Sequence, residues 1–305
     1  MSIWRKLMTK PVWWWETRRP YPIRGEWKYL PPIRADQGRV PFVIMTRPDT
    51  LDDALWCAWS WLRFIAHEVR LEIYIDCPVG PKELQAVNRL FPGGTITDAR
   101  EFVSQAESSL PAAQGFFTVH PLGRKLGVLL ELQKRETILY CDFDVFAFSP
   151  PVEILDCIKD GATGAYLQEG EKESYDGLVL ATARALGIIP LPILNSGLLL
   201  IPKGSLSLDL ADQLLQGWRN CDSWWMEQTA LACLLKTAPM VALPRDRYLV
   251  SNTRQFYWQQ DVEDYGQIVA RHFTTTTRHL MYSKAMPRIQ RESRQAANPR
   301  VASHA

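Results

Sequence analysis

What most constrains the fold of this chain is a rhythm in its apolar residues. Short, almost continuously apolar runs alternate with stretches in which apolar residues recur every three or four positions. Val40-Pro41-Phe42-Val43-Ile44-Met45-Thr46, Leu71–Ile75, Thr137–Cys141 and Leu191–Ile201 read as strands. Weaker strand signals lie at 95–97, 164–168, 240–243 and 268–273. Helical periodicity is predicted over 51–66, 81–91, 122–134, 206–218 and 224–236, and Pro81 and Pro150-Pro151 stand where a helix can begin. Strands with no polar alternation are buried on both faces. The expectation is therefore a single α/β domain, a mostly parallel, Rossmann-like central sheet with helices on both faces. The 305 residues are enough for one such domain.

Composition narrows the function classes. An apolar fraction of 47% with 22% charged residues describes a globular chain, outside the disordered class. No run reaches the eighteen or so apolar residues that cross a bilayer, and Met1–Lys10 is charged without a following apolar segment. The six cysteines form no Cys-x-x-Cys pair and fall mostly in apolar stretches, which suits reduced thiols and a cytoplasmic protein. The net charge of +2 conceals an asymmetry. Residues 1–39 carry nine Lys/Arg against three acids, and residues 271–305 carry seven against one, so the body between is strongly acidic. Basic, tryptophan-bearing ends fit an anionic surface such as the inner membrane face, and fit ordinary solvated tails equally well. Neither the dinucleotide fingerprint nor the Walker pattern occurs, so any nucleotide is held without a Gly-rich loop.

The most informative stretch is Cys141-Asp142-Phe143-Asp144-Val145-Phe146. In an extended backbone, residues i and i+2 share a face about 6.5–7 Å apart. Two carboxylates so placed at the carboxyl end of a buried strand repel each other unless a cation lies between them. Ligands of open α/β sheets bind at that end, and a hard divalent ion suits an oxygen-rich pair while leaving positions for a diphosphate. A capping or turn-forming pair of aspartates is the ordinary alternative. A haloacid-dehalogenase-type phosphatase also begins with Asp-x-Asp, but there the motif opens the first strand of the domain, whereas here two or three strands precede it, and Phe146 stands where Thr or Val is required.

Several further segments, in this order and spacing, resemble GT-A-fold glycosyltransferases, in particular the glycogenin-like group and its bacterial lipopolysaccharide relatives, over residues 40–283. The strand and helix from Val40 to Ala66 look like that family's nucleotide-contacting start. Arg124-Lys125 opens a helix seventeen residues before Asp142. Leu194-Asn195-Ser196-Gly197-Leu198 resembles the family's Asn-Ser/Thr-Gly segment, Glu227-Gln228 its acidic-Gln helix start, and Arg271-His272-Phe273 its late metal-binding histidine. After His272 the chain departs from the pattern: Thr274–Thr277 and Arg278 replace the usual Gly and Lys.

The resemblance implies a metal-dependent transferase moving a sugar from a nucleoside-diphosphate donor, with uridine preferred, to a glycan, glycolipid or protein hydroxyl. It implies Mn2+ or Mg2+ on Asp142, Asp144 and His272. It implies donor contacts at Thr46, Arg124, Lys125, Asp142, Phe143, Ser196, Gly197 and Arg278, and catalytic roles for Asn195, Glu227 and Gln228. Nucleic acid is not an expected partner. The expected organisation is a basic aromatic arm over 1–39, the catalytic domain over 40–283 and a flexible basic tail over 284–305. Two other classes stay open: an inactive donor-binding scaffold of the same fold, and a sugar nucleotidyltransferase, for which Thr46-Arg47-Pro48-Asp49 offers no Gly-rich loop.

Overall fold

The computed structural model describes residues 21–107, 110, 114–169, 174–216, 223–250, 264–274 and 277–297. Ten strands form two sheets: β1 Val40–Thr46, β2 Val69–Ile75, β3 Thr95–Asp98, β4 Ile138–Asp142, β5 Val145–Ala147, β6 Gly164–Gln168, β7 Leu194–Ile201, β8 Met240–Ala242, β9 Tyr248–Val250 and β10 Ala270–His272. The central sheet runs β3-β2-β1-β4-β7-β6-β8, and the small one β5-β10-β9. In the central sheet only β7 runs against its neighbours. Chain order reverses beside β1 and β4, and a topological switch of this kind leaves a crevice at the carboxyl ends of the strands.

The apolar runs alternate between two layers, as strand geometry requires. Phe42, Ile44, Leu139, Cys141, Leu198 and Leu200 join one core; Val43, Ile138, Tyr140, Leu199 and Ile201 join the other. The helix Leu51–Ile65 covers the first face and is buried along nearly its whole length. Helices Pro121–Gln133 and Met226–Leu234 cover the second. At about 25 cal/mol per Å2 of apolar surface, such a two-sided core dominates the stability.

The described residues outside 40–283 carry regular structure that the composition did not suggest. Pro22–Tyr29 is a 3-10 helix lying on Leu51–Ile65, and the indole N–H groups of Trp56 and Trp59 donate to Arg24 O and Pro31 O, each at 2.9 Å. Leu30 and Ala35 belong to the core. At the other end the expected flexible tail is instead helix Met286–Ala297, which follows a π-helical turn, Met281–Ala285. Its spacing hid a narrow apolar stripe: Met281, Ala285, Met286 and Ile289 are buried, and Arg63 pairs with Glu292 at 2.6 Å. The Trp13-Trp14-Trp15 run and residues 298–305 lie outside the described residues. The five described cysteines form no disulfide. Among the described residues no helix is long and apolar enough to cross a membrane.

Candidate active site

The two aspartates meet by a route different from the expected one. β4 stops at Asp142, and Phe143-Asp144 form a turn into β5, so the pair does not share one extended strand. The turn brings the carboxylates together because β5 is captured by β10, with Val145 opposite His272 and Arg271 opposite Phe146. Phe273 N–H donates to Asp144 O at 2.8 Å. This register delivers the His272 imidazole to the aspartates. One ligand atom from each of Asp142, Asp144 and His272 lies within 4.8 Å of the other two. His272 Nε2 is 3.2 Å from Asp144 Oδ1 and 4.0 Å from Asp142 Oδ2.

The Asn195-Ser196-Gly197 segment supports this cluster from below. It interrupts pairing with β6, whose register jumps from Tyr166↔Leu199 to Leu167↔Asn195. The bulge turns three polar positions of an otherwise apolar strand toward the site. Gly197 admits His272: a Cβ there would meet the ring's Cε1 and Nδ1 at 2.6 Å. Asn195 Oδ1 accepts from Gly197 N–H and faces His272 Nδ1, both at 2.9 Å.

Lys125 and Glu227 form the floor. Lys125 Nζ reaches Asp142 Oδ1 and Glu227 Oε1 at 3.2 Å each, and donates to Ser196 O at 2.9 Å and Ser196 Oγ at 3.1 Å. Ser196 Oγ donates to Glu227 Oε2 at 3.0 Å, Gln228 Oε1 accepts from Ser196 N–H at 3.1 Å, and the Tyr140 hydroxyl donates to Asp142. Arg278 closes the upper side, with Nη2 at 2.5 Å from Asp144 Oδ2 and its guanidinium 5.2 Å from the centre of the Phe143 ring.

Two expected donor contacts stand apart from this cluster. The Arg124 guanidinium pairs with Asp76 at 2.7 Å and donates to Thr118 O at 2.6 Å. The Thr46 hydroxyl, at the tip of β1, is 3.0 Å from that of Thr50. Sequence reasoning missed Glu169 and Tyr140. Glu169 follows β6 as Asp142 ends β4, and an acid at the tip of a buried strand was the available signal.

Charge decides what the arrangement can hold. Burial pushes the Asp144 carboxyl up, but Arg278 and His272 more than offset it and hold it well below the carboxylate range. Burial lowers His272, and Asp144 and then Asp142 outweigh that, raising it. Burial likewise lowers Lys125, yet Asp142 and Glu227 leave it raised. Glu227 itself is raised by burial despite Lys125, with Asp142 adding to the rise. The rise at His272 and Lys125 reflects the carboxylates beside them, and that at Glu227 chiefly its burial. Among the described residues four carboxylates, Asp142, Asp144, Glu169 and Glu227, gather about Lys125, Arg278 and the His272 imidazole, an acid-rich cluster. Two carboxylates and an imidazole whose other nitrogen is already engaged fit a divalent cation of the manganese or magnesium kind.

The fold, a mostly parallel seven-stranded sheet flanked by helices, is that of GT-A glycosyltransferase structures. Three solved structures share it: galactosyltransferase LgtC in complex with donor and acceptor sugar analogs (12% identity, 82% of this chain and 96% of that one, TM-score 0.54), the bifunctional glycosyltransferase WbbM (11%, 85% and 51%, 0.53) and mouse xyloside xylosyltransferase 1 (14%, 78% and 98%, 0.51). The chain thus spans about half of WbbM and nearly all of the other two. No protein-family model and no curated protein sequence matches it.

Proposed function

We propose that this protein is a metal-dependent glycosyltransferase that takes a sugar from a nucleoside-diphosphate donor, with uridine as the preferred base, and passes it to an acceptor hydroxyl. The observation that carries the reading is the acid-rich Asp142–Asp144–His272 cluster at the carboxyl edge of a GT-A sheet. A divalent cation held there supplies Lewis acidity to the departing diphosphate. Arg278, with its face on Phe143 and one edge on Asp144, is placed to trade the carboxylate for a phosphate oxygen and stabilise the same developing charge. Lys125 fixes Asp142 and cancels part of the charge of Glu227. Glu227 Oε2 accepts from Ser196 Oγ while Oε1 faces Lys125 at 3.2 Å as an ion pair, so the residue holds the bulge and balances the lysine. The Gln228 amide, wedged between Ser196 N–H and Ser174 O, rigidifies the wall beside the donor sugar.

The acceptor is a glycan, glycolipid or protein hydroxyl, reached in the cytoplasm. A peripheral contact of the basic Trp-bearing N-terminus with an anionic inner membrane face belongs to this reading. Acidic liposomes pelleting the protein equally well without residues 1–20 would remove that contact. The central claim is tested by incubating the protein with a panel of nucleotide sugars, with and without Mn2+. Release of nucleoside diphosphate from at least one donor, only when the ion is present, is the expected result. Metal-dependent thermal stabilisation by a donor that is never hydrolysed or transferred would favour the scaffold class instead.

A further inference from the structure

Glu169 stands just past β6, half-buried, and touches none of the three residues of the metal cluster directly. One of its oxygens, Oε1, accepts from Asn195 Nδ2 at 2.9 Å and from Gln228 Nε2 at 3.4 Å. That contact settles which way the Asn195 amide points. With Nδ2 on the Glu169 carboxylate, Oδ1 faces Gly197 N–H and His272 Nδ1, each 2.9 Å away. The reversed amide would set an oxygen against the carboxylate and an NH2 against the Gly197 N–H, a double mismatch in a buried place. With Oδ1 so fixed, His272 Nδ1 must carry a proton and donate it. The lone pair of the neutral ring is then on Nε2, the atom that faces Asp144 and Asp142.

We infer that Glu169 is a positioning residue for the metal centre, acting through Asn195 to hold His272 as the Nδ1–H tautomer. The assignment rests on the metal reading above and extends it to a residue outside the ligand set. It also gives Asn195 a second duty. Its carbonyl oxygen is spent on the protein itself, and a single amide hydrogen is left for a sugar. The same Glu169 oxygen braces Gln228, so the metal wall and the sugar wall of the site share one anchor.

The experiment reads the ion and the ring separately from turnover. Mn2+ binding to the protein without donor is measured by calorimetry for the wild type, Glu169→Ala and Glu169→Gln. The His272 ring-nitrogen shifts are recorded by NMR on the same proteins at alkaline pH without metal. Glu169→Ala is expected to weaken Mn2+ binding by about 10- to 100-fold, the usual effect of losing an outer partner of a metal-bound histidine. His272 should then show a mixture of tautomers. Glu169→Gln, which still offers an amide oxygen to Asn195, should stay within about threefold of the wild type and keep the Nδ1–H form, an effect a general loss of packing would not reproduce. Glu169→Ala with wild-type Mn2+ affinity and an unchanged tautomer overturns the inference and leaves the proposed function standing. A wild type that binds no Mn2+ overturns the metal reading, and the tautomer comparison then decides the inference alone: a mixture in Glu169→Ala supports it, and no change overturns it.

Discussion

Asp53 and Asp144 are both buried carboxylates that face an arginine, yet the protein treats them in opposite ways. Asp53 sits on the helix Leu51–Ile65, takes Arg24 Nε at 2.8 Å and accepts from the Tyr282 hydroxyl at 3.0 Å. Burial wins there and pushes its carboxyl up to about 6 against the pull of Arg24 and Tyr282. Asp144 is almost as deep, but Arg278 and His272 together overcome its burial and hold it far down. The lesson is in the surroundings. Asp53 meets one base, Arg24, and a phenol directly. Asp144 sits in an acid-rich cluster with Asp142, Glu227 and Glu169, threaded by Lys125, Arg278 and His272. The first cluster ties the N-terminal 3-10 helix and Tyr282 to the helix Leu51–Ile65; the second is the one proposed to take a metal ion.

The largest effect that can break this contrast is on turnover. Asp144→Asn should lower sugar transfer by about 10^4-fold or more, some 5.5 kcal/mol of barrier, with the circular dichroism spectrum unchanged. Asp53→Asn, equally buried, should stay within about threefold. Similar rates for the two variants would mean that burial and an arginine are all the two sites have.

Next in size is a stability effect. Lys125 is 2% exposed and stands between Asp142 and Glu227. Lys125→Met keeps much of the volume and leaves two neighbouring carboxylates without their cation, so it should cost about 3–5 kcal/mol in urea unfolding. Adding Glu227→Gln to that variant should recover part of the loss, because one of the stranded charges is gone. A double variant no more stable than Lys125→Met would contradict the charge count around Asp142.

Much of this organisation was legible in the sequence, and the failures have a common physical cause. The seven-stranded sheet follows from runs such as Phe42-Val43-Ile44 and Leu198–Ile201, because two-sided burial writes itself into every residue of a strand. Asp142 and Asp144 were marked by charge set among apolar neighbours, and His272 and Lys125 by the resemblance to the glycosyltransferase pattern, and the structure gathers all four. Arg124 was marked by the same logic, but adjacent helix positions point in different directions, so its guanidinium goes to Asp76. The reason given for the aspartate pair was mistaken in geometry, since a turn held by β10 makes the meeting and such pairing is non-local. Glu169 escaped because its importance lies in an amide it orients in space, 26 residues along the chain. The helix Met286–Ala297 escaped because only Met286 and Ile289 of its apolar side chains are buried, with Met281 and Ala285 of the preceding turn, too few to stand out in a basic segment.

A titration sharpens the same contrast at a smaller scale. The folded value of Asp53, about 6, lies above the 3.8 of a free carboxyl, so the folded protein holds this proton more tightly than the unfolded chain. Its contribution to stability is therefore complete below pH 4 and is lost as the pH rises through 6. The full shift is worth roughly 3 kcal/mol. Between pH 3.5 and 7 the stability gap in urea between the wild type and Asp53→Asn should move toward the asparagine variant by up to that amount. A gap that moves the other way would show Arg24 prevailing over burial, and would erase the distinction from Asp144.

The smallest expected change separates two duties of Arg278. Its guanidinium carbon lies 5.2 Å from the centre of the Phe143 ring while one nitrogen, Nη2, reaches Asp144 and Nε is left without a hydrogen-bond partner among the described residues. Lysine keeps the charge but has neither the plane nor the fork. If Arg278 serves the donor diphosphate, Arg278→Lys should raise the donor KM by about fivefold, close to 1 kcal/mol, with kcat changed by less than twofold. A residue that only neutralised Asp144 would behave differently: lysine would leave KM alone, and the loss would appear as a lower melting temperature in the protein without donor. Measuring both quantities on one variant therefore tells whether the charge that most strongly depresses Asp144 also meets the substrate, which is the point at which a buried ion pair becomes part of an active site.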